Sequence, residues 1–556
     1  MNVTPITQLF AGILLGASLI GVFWYVSGTG INVKTVAAAE KLIGLEYSDE
    51  QREKVIGRLE QSLENFEQVR GLEMANDIGL PLYFDPTPPG KVFDFEPQIP
   101  IQWEIPSGVE LPENRAELAF YSIKELASLI KHRKITSVEL TEFFLERLEQ
   151  YDDKLEAVVT LTRERALEQA RKMDEDIEGG NYRGILHGIP YGAKDLFAVE
   201  GYKTTWGATP YKDQVIDQTA TVIRKLDEAG AVLIAKLTLG ALAYGDIWFD
   251  GRTNNPWNPD QGSSGSSAGS AAATVAGLVP FGLGTETLGS IVSPSTRTGA
   301  TGLRPTFGQI SRQGAMALSW TMDKVGPITR SVDDAAIVYN AIRGPDGYDL
   351  TVKNYPFNYT GNVDFSALRI GYYRQAFEAT PNGAYYDSLS LERLRDMAGE
   401  LIPVELPDLP LGGMFNLLTA EGAAAFDELT LTGRDSLLVW QDDNAWPNLF
   451  RTVRFLPAVE WIQLNRVRAM LIDQMDKVME EVDLFITPTF GGNNLLITNL
   501  TGHPAVVMPN GFSEDVEPVS ITFIGSLYDE ATLLAVADKF QKETDFHLRR
   551  PPLFVD

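Results

Sequence analysis

The chain has 556 residues, no cysteine, four histidines and a formal net charge of −28, from 47 basic and 75 acidic side chains. The lack of cysteine excludes thiol nucleophiles, disulfides and thiolate metal sites, and four scattered histidines argue against a His-rich metal centre. Proteins that bind nucleic acids carry clustered Lys and Arg, so we expect no nucleic-acid partner for this acidic chain. Hydrolytic chemistry would have to use Ser, Thr, Lys, Asp or Glu.

The first predicted element is the apolar run from Leu9 to Val26 (LFAGILLGASLIGVFWYV), and no charged residue precedes Lys34. A helix of this length would span about 27 Å, close to the hydrocarbon thickness of a bilayer. Residues 1–33 are therefore predicted to be a membrane anchor or a signal segment, with membrane association through residues 9–26. An anchor is favoured because the run is long and lacks a basic start, although Ala37-Ala38-Ala39 offers a cleavage site. We expect a membrane-anchored or exported protein, in an orientation that the flanking charges do not determine.

Residues 34–115 are predicted to form an extension made of helix followed by a Pro-rich stretch. Ser48 and Gln51 have the spacing of a capping box, and a helical sequence with spaced Leu, Val and Phe follows them. The later stretch LPLYFDPTPPGKVFDFEPQIPIQWEIP contains too many prolines to be a continuous helix. We expect one or two helices and a strap that lies on the main domain.

The main domain is predicted to cover residues 116–556. Ser122–Glu125 and Thr136–Glu139 each fit a capping box at the start of a helix. Short apolar runs typical of strands then alternate with helical stretches such as Thr221–Ala229 and Asp529–Lys539. This alternation predicts an α/β fold, a sheet with helices on both faces. The predicted strands are Ala231–Ala235, Leu368–Tyr372, Leu484–Ile486, Ala505–Met508 and Val519–Phe523.

Three segments rich in small residues stand out within this domain. Residues 262–270 read GSSGSSAGS, Gly284–Ser290 reads GTETLGS, and Gly188–Asp195 reads GIPYGAKD. The first could be a flexible linker, but it lies between NPWNP and a long apolar stretch, where linkers are not normally found. A functional loop is therefore the favoured interpretation.

These segments, in this order, resemble the motifs of the amidase signature family, serine hydrolases that cleave amide C–N bonds. Gly265–Ala271 is similar to the family's Ser/Gly motif, Gly284–Ile291 to its nucleophile motif and Gly188–Asp195 to its lysine motif. The nucleophile motif is most similar to that of the peptide amidase branch. The resemblance extends from about residue 120 to the C-terminus. It implies the amidase signature fold, a large mixed β-sheet covered by helices.

The resemblance implies a Ser–cisSer–Lys triad. Ser290 would attack the carbonyl and form an acyl-enzyme, Ser266 would relay the proton, and Lys194 would be the general base and then the acid. A lysine can act as a base when burial lowers its pKa. The alternative for Lys194 is a structural salt bridge to Asp195.

The oxyanion of the tetrahedral intermediate needs N–H donors, and the resemblance points to the backbone of Thr287, Leu288, Gly289 and Ser290. No metal and no organic cofactor is required by this scheme. Asp246, Trp248 and Phe249 are candidates for the substrate pocket, although an aromatic pair is more often part of a core.

Three positions depart from the family pattern. Glu286 stands where Asp is usual, Leu288 where Gly is common, and Val292 where Arg commonly follows the Ser-Ile pair. Leu288 puts the usual backbone geometry of the oxyanion loop in doubt. Because the three triad positions are intact, a catalytically inactive homologue is disfavoured.

The leading hypothesis is an amidase that hydrolyses a linear carboxamide, with a small-molecule or peptide amide as substrate. One alternative is an A-type subunit of glutamyl-tRNA amidotransferase that releases ammonia from glutamine. Another is a catalytically silent, membrane-tethered binding protein. The sequence leaves the individual substrate and the oligomeric state open, a dimer included.

Overall fold

The computed structural model describes residues 30–555, apart from residues 73, 380–383 and 514–516. The described residues fall into two compact units. The first ends at Ala75 and includes Phe455–Pro457, and the second comprises Asn76–Arg454 and the chain from Ala458 onward. The apolar run of residues 9–26, predicted to be a helical anchor, lies outside the described residues. The predicted boundary near residue 115 stays a prediction.

The first unit contains two helices, α1 (Val33–Ile43) and α2 (Asp49–Arg70). The predicted capping box is confirmed, because the Ser48 hydroxyl accepts the N–H of Gln51 and the Gln51 side chain accepts the N–H of Ser48. Arg52 of α2 forms an ion pair of 2.7 Å with Glu40 of α1. Ser48 thus starts the second helix, and the ion pair connects it to the first.

Between Arg70 and Arg115 the described residues form no helix and no strand, as the prolines predict. The capping boxes predicted for the following two helices are confirmed at Ser122 and at Thr136. The α-helices described in the second unit are α3 (Ile123–Lys131), α4 (Ser137–Leu155), α5 (Arg163–Glu178), α6 (Thr221–Ala229), α7 (Ala268–Val275), α8 (Val292–Thr298), α9 (Val332–Ile342), α10 (Arg374–Ala379), α11 (Ala384–Ala398), α12 (Phe415–Ala425), α13 (Asp427–Thr432), α14 (Trp446–Val453), α15 (Ala458–Glu481), α16 (Asn494–Thr501) and α17 (Glu530–Thr544).

The second unit is built on a mixed sheet of eleven strands among the described residues, in the order β1-β3-β2-β8-β10-β9-β14-β15-β13-β11-β12. Two small two-stranded sheets, β4-β5 and β6-β7, complete the described strands. Their bounds are β1 (Val158–Leu161), β2 (Pro190–Lys194), β3 (Val232–Leu237), β4 (Ile247–Trp248), β5 (Gly251–Arg252), β6 (Asn254–Asn255), β7 (Asn258–Gly262), β8 (Gly282–Glu286), β9 (Thr301–Arg304), β10 (Lys324–Thr329), β11 (Ile370–Tyr373), β12 (Ile402–Val404), β13 (Leu484–Pro488), β14 (Ala505–Phe512) and β15 (Pro518–Gly525).

The predicted α/β class is confirmed, and all five predicted strands belong to the large sheet. Strand β2 pairs in parallel with both β3 and β8, whereas β10 runs antiparallel to β8. Helices α4, α5, α7, α9 and α17 contact the strands. Strands β2 and β3 are fully buried, as expected for central strands between helical layers. The carboxyl ends of the parallel strands β2 and β8 bring two of the motif segments together.

Candidate active site

Lys194 is the last residue of strand β2 and is fully buried. Its Nζ donates to three hydroxyl groups, at 2.8 Å to Ser266 Oγ, 3.1 Å to Ser267 Oγ and 2.9 Å to Thr285 Oγ1. Thr285 is on the neighbouring strand β8, and the two serines lie directly before α7. The structure therefore brings the lysine motif and the Ser/Gly motif into direct contact.

The surroundings of Lys194 favour its neutral form. Burial lowers the pKa of Lys194 to about 7, although the carboxylates of Asp323 and Glu286 act in the opposite direction. Hydroxyl groups can both accept from a lysine and donate to it, so they solvate either protonation state. A lysine with a pKa near neutrality can take up and return a proton at physiological pH.

Asp195, the alternative salt-bridge partner of Lys194, is paired with another lysine. Its carboxylate lies 2.6 Å from Lys236 Nζ, and both side chains are fully buried. The N–H and the hydroxyl of Thr205 also donate to Asp195, at 2.8 and 2.5 Å. The structural salt bridge considered for Lys194 is therefore made by Lys236.

The loop that carries Ser266 is closely packed against its neighbours. The Gly265–Ser266 peptide bond is cis. Asp246 Oδ2 accepts the N–H of Ser264 at 2.9 Å, and a side chain at Gly265 would come within 1.9 Å of the Gly245 carbonyl oxygen. Asp246 thus holds the catalytic loop rather than the substrate pocket. Its predicted companions Trp248 and Phe249 pack edge-to-face, with ring centroids 4.8 Å apart.

Ser290 lies in the turn between β8 and α8, with 8% of its surface exposed. Its carbonyl oxygen accepts the N–H of Ser267 at 3.1 Å, which joins the nucleophile motif to the Ser/Gly motif. Among the described residues, the Ser290 hydroxyl makes no hydrogen bond with Ser266. The proton relay between these hydroxyls stays a prediction.

Glu286, the first departure from the family pattern, braces the turn around Ser290. One carboxylate oxygen accepts the N–H groups of Ile291 and Val292, each at 2.9 Å. The other lies 2.9 Å from Arg304 and 2.8 Å from the Asn499 amide. Burial alone would raise the pKa of Glu286, but Arg304 and these donors outweigh it and hold the pKa at about 2. The carboxylate is therefore charged and fixes the start of α8.

The backbone from Thr287 to Ser290 is the predicted oxyanion loop. None of its four N–H groups donates to a described residue. Gly289 adopts a left-handed φ of +86°, whereas Leu288 does not adopt a positive φ. The glycine conformation is thus required at 289, and Leu288 is compatible with the loop. The Thr287 hydroxyl donates to Asp323 at 2.5 Å, which fixes the first residue of the loop.

A cavity of about 350 Å³ opens beside the nucleophile segment, where it is lined by Thr285 and Thr287. Asp323 and the residues Ala315–Trp320 form further parts of the wall. Another part comes from residues 77–83 of the Pro-rich stretch, with the exception of Ile78. The position of this cavity fits a substrate pocket.

Sequence patterns missed several residues of this site. Ser267 and Thr285 share the contacts of Lys194, and Asp323 anchors Thr287 from strand residues that carry no motif. The departure at Glu286 was a signal, because a longer acidic side chain reaches groups that aspartate would not. Within the described part of the chain, no cluster of three or more His, Asp or Glu side chains is arranged to hold a metal ion.

Solved structures with related folds include the native peptide amidase from Stenotrophomonas maltophilia. It is 27% identical to this chain, with a TM-score of 0.70, and the match covers 79% of this chain and 99% of that one. A bacterial aryl acylamidase of the amidase signature family shares the fold at 22% identity and a TM-score of 0.67. These similarities confirm the predicted amidase signature fold.

Curated relatives include the glutamyl-tRNA(Gln) amidotransferase subunits A of Moorella thermoacetica and Chloroflexus aggregans. The first is 31% identical over 486 residues, covering 79% of this chain and all of the relative. The second is 33% identical over 484 residues, covering 79% of this chain and 99% of the relative.

The predicted localisation, a membrane-anchored or exported protein, is wrong by this comparison. The relatives that match four-fifths of the chain are subunits of an amidotransferase named for glutamyl-tRNA(Gln), not membrane or secreted proteins by name. Within residues 30–555 as described, no helix has both the length and the apolar character needed to cross a bilayer. The prediction relied on the length of the apolar run 9–26, and length alone does not fix where an apolar segment is buried.

The Amidase family model matches residues 139–498, which include the three motif segments and most of the large sheet. The buried lysine and the serine-rich loops described above lie within this range. The match, the curated relatives and the shared fold agree in their extent. The chain belongs to the amidase family, whose enzymes act on amide C–N bonds.

Proposed function

We propose that this protein hydrolyses a linear amide through an acyl-enzyme, with Ser290 as nucleophile, Ser266 as proton relay and Lys194 as general base. The observation that carries the proposal is the environment of Lys194. It is buried, 2.8 Å from the Ser266 hydroxyl, and burial lowers its pKa to about 7. A base of this kind is what a serine nucleophile requires when no histidine is near.

In the proposed first step, the Ser290 hydroxyl oxygen attacks the amide carbon while its proton passes to Ser266. Ser266 gives its own proton to neutral Lys194, which becomes an ammonium. When the tetrahedral intermediate collapses, the same path returns the proton to the leaving nitrogen, and the C–N bond breaks. Water then attacks the acyl-enzyme in the reverse sense and releases the carboxylic acid and free Ser290.

The oxyanion is proposed to bind the N–H groups of Thr287, Leu288, Gly289 and Ser290, which donate to no described residue. The next two N–H groups of the chain, those of Ile291 and Val292, already donate to Glu286. Glu286 therefore directs the free donors toward the side of the turn where Ser290 lies. Donors that are fixed before the reaction stabilise the developing charge without reorganisation.

Replacing the nucleophile tests this proposal. Ser290→Ala should lose turnover of a panel of primary, anilide and peptide amides, and it should lose labelling by a fluorophosphonate probe. Ser366→Ala, which removes an exposed hydroxyl bonded to Asp364, is the matched control and should keep both. Turnover that persists in the Ser290→Ala variant would refute the assignment.

A second candidate is an amidotransferase subunit that releases ammonia from glutamine for transfer to a partner. The curated relatives named as glutamyl-tRNA(Gln) amidotransferase subunits A favour it. The net charge of −28 is unfavourable for direct contact with tRNA, so a partner would have to bind the nucleic acid. Glutamine hydrolysis that rises when a co-purified partner and charged tRNA are added would support this candidate, whereas amide hydrolysis by the isolated chain favours the first.

A further inference from the structure

One wall of the cavity comes from a part of the chain outside the family match. Residues 77–83 line it, although the Amidase family model begins only at residue 139. The opposite side of the same cavity is lined by Thr285 and Thr287 of the nucleophile segment. A substrate that occupies this cavity would contact the extension and the catalytic segment at once.

Asn76 attaches this wall to the main domain. Its amide nitrogen donates to the carbonyl oxygen of Ala317 at 2.9 Å, and its amide oxygen accepts the N–H of Ala317 at 2.7 Å. The amide nitrogen also lies 3.4 Å from the carbonyl oxygen of Ala425 at the end of α12. This two-way amide contact fixes the chain directly before the cavity-lining residues.

The anchor point connects to the nucleophile segment through Asp323. One oxygen of Asp323 accepts the N–H groups of Leu318 and Ser319, each at 2.9 Å. The other oxygen accepts the hydroxyl of Thr287. Asn76, residues 317–319, Asp323 and Thr287 therefore form a continuous series of contacts from the extension to the proposed oxyanion loop.

The rim of the cavity is apolar and exposed. Leu82 and Tyr83 of the extension are 68% and 57% exposed, and Tyr348 and Leu350 across the rim are 70% and 64% exposed. Large apolar side chains exposed around one cavity are typical of ligand-binding grooves. Arg312, a cation in this lining, is held by Asp349 at 2.8 Å, so its charge is already compensated.

We propose that residues 77–83 are a specificity wall that selects amides bearing an extended apolar group over small or zwitterionic amides such as glutamine. This inference rests on the proposed amide hydrolysis and adds the substrate class. An apolar group placed on Leu82 and Tyr83 would remove both from water, which provides the binding free energy. The charges of glutamine would find no uncompensated partner on the apolar rim.

A kinetic comparison of octanamide and acetamide tests the proposal. The double variant Leu82→Ser/Tyr83→Ser should lower kcat/KM for octanamide by roughly tenfold or more, chiefly through KM, since it removes apolar contact area. Its kcat/KM for acetamide should be unchanged. Val92→Ser, at an 85% exposed position of the same extension that does not line the cavity, is the matched control and should change neither.

Asn76→Ala provides a second, independent variant, because it loosens the wall without changing its apolar side chains. It should also raise KM for octanamide while leaving acetamide hydrolysis in place. Equal kcat/KM for both amides in the unmodified chain, or an unchanged preference in the double variant, would overturn the specificity wall while leaving amide hydrolysis intact. If the unmodified chain hydrolyses neither amide, or Ser290→Ala is as active as the unmodified chain, the proposed function fails and the wall with it.

Discussion

The carboxylate of Glu286 lies 2.9 Å from the guanidinium of Arg304, and both side chains are fully buried. The same carboxylate binds the N–H groups that start α8, so the ion pair supports the turn that carries Ser290. Removing one member of such a pair leaves a buried charge without a partner, which costs far more than the pair contributes over an apolar substitute. This asymmetry makes the pair sensitive to single substitutions.

Glu286→Gln should therefore lower the free energy of unfolding by about 3–5 kcal/mol, as measured by urea denaturation. The physical reason is that Arg304 keeps its charge but loses its anion. The matched control is Glu517→Gln, which breaks a partly exposed pair with Arg297 at 3.1 Å. Exposed pairs contribute about 0–1 kcal/mol, so a similar loss in both variants would contradict the role given to Glu286.

The pH dependence of turnover should follow Lys194. Its pKa is about 7, because burial outweighs the carboxylates of Asp323 and Glu286. Only the neutral amine accepts a proton, so kcat/KM should reach a plateau above pH 7 and fall about tenfold per pH unit below it. Lys225→Met, at a partly buried lysine bound to backbone carbonyls, should leave the profile unchanged. A flat profile down to pH 5 would exclude Lys194 as the base.

Gly289→Ala should damage the oxyanion loop. The residue has a φ of +86°, and an added Cβ would lie 2.9 Å from Ser293 Oγ. A shift of the loop away from its position should lower kcat by roughly 10²–10³, the cost of losing one oxyanion donor. Gly344→Ala is the control, since Gly344 has a φ of +87° but no atom within 4 Å of the added Cβ. Equal kcat values for the two variants would argue against the loop.

The Lys236–Asp195 pair should show its buried character in a double-mutant cycle. Lys236→Met leaves the Asp195 carboxylate buried without its cation and should cost about 3–5 kcal/mol of unfolding free energy. Asp195→Asn combined with Lys236→Met removes both charges and should recover most of that loss. Additive losses in a thermal or urea denaturation series would show that the two side chains are not coupled.

Local patterns predicted much of this structure. The capping boxes at Ser48, Ser122 and Thr136 depend on residues three positions apart, and the structure contains all three. The strand predictions succeeded because central strands are short apolar runs between helices. The contact between Lys194 and Ser266 followed from the family motifs and not from spacing, because 72 positions separate them.

Other parts of the site could not be predicted because they depend on contacts between distant residues. Asn76 and Ala317 are 241 positions apart, and Glu286 and Asn499 are 213 apart. No periodicity or short motif reports such pairs. The doubt attached to Leu288 had a similar origin, since only the backbone angles show that the left-handed residue of the loop is Gly289.

Asn76 binds Ala317 through main-chain atoms, which any residue at position 317 would supply. The attachment therefore places little demand on the sequence of either partner. A segment fastened in this way can acquire new side chains, or be exchanged for one from a homologue, while the catalytic residues stay as they are. Directed evolution confined to residues 77–83 is thus a route to new amide preferences with the reaction chemistry preserved.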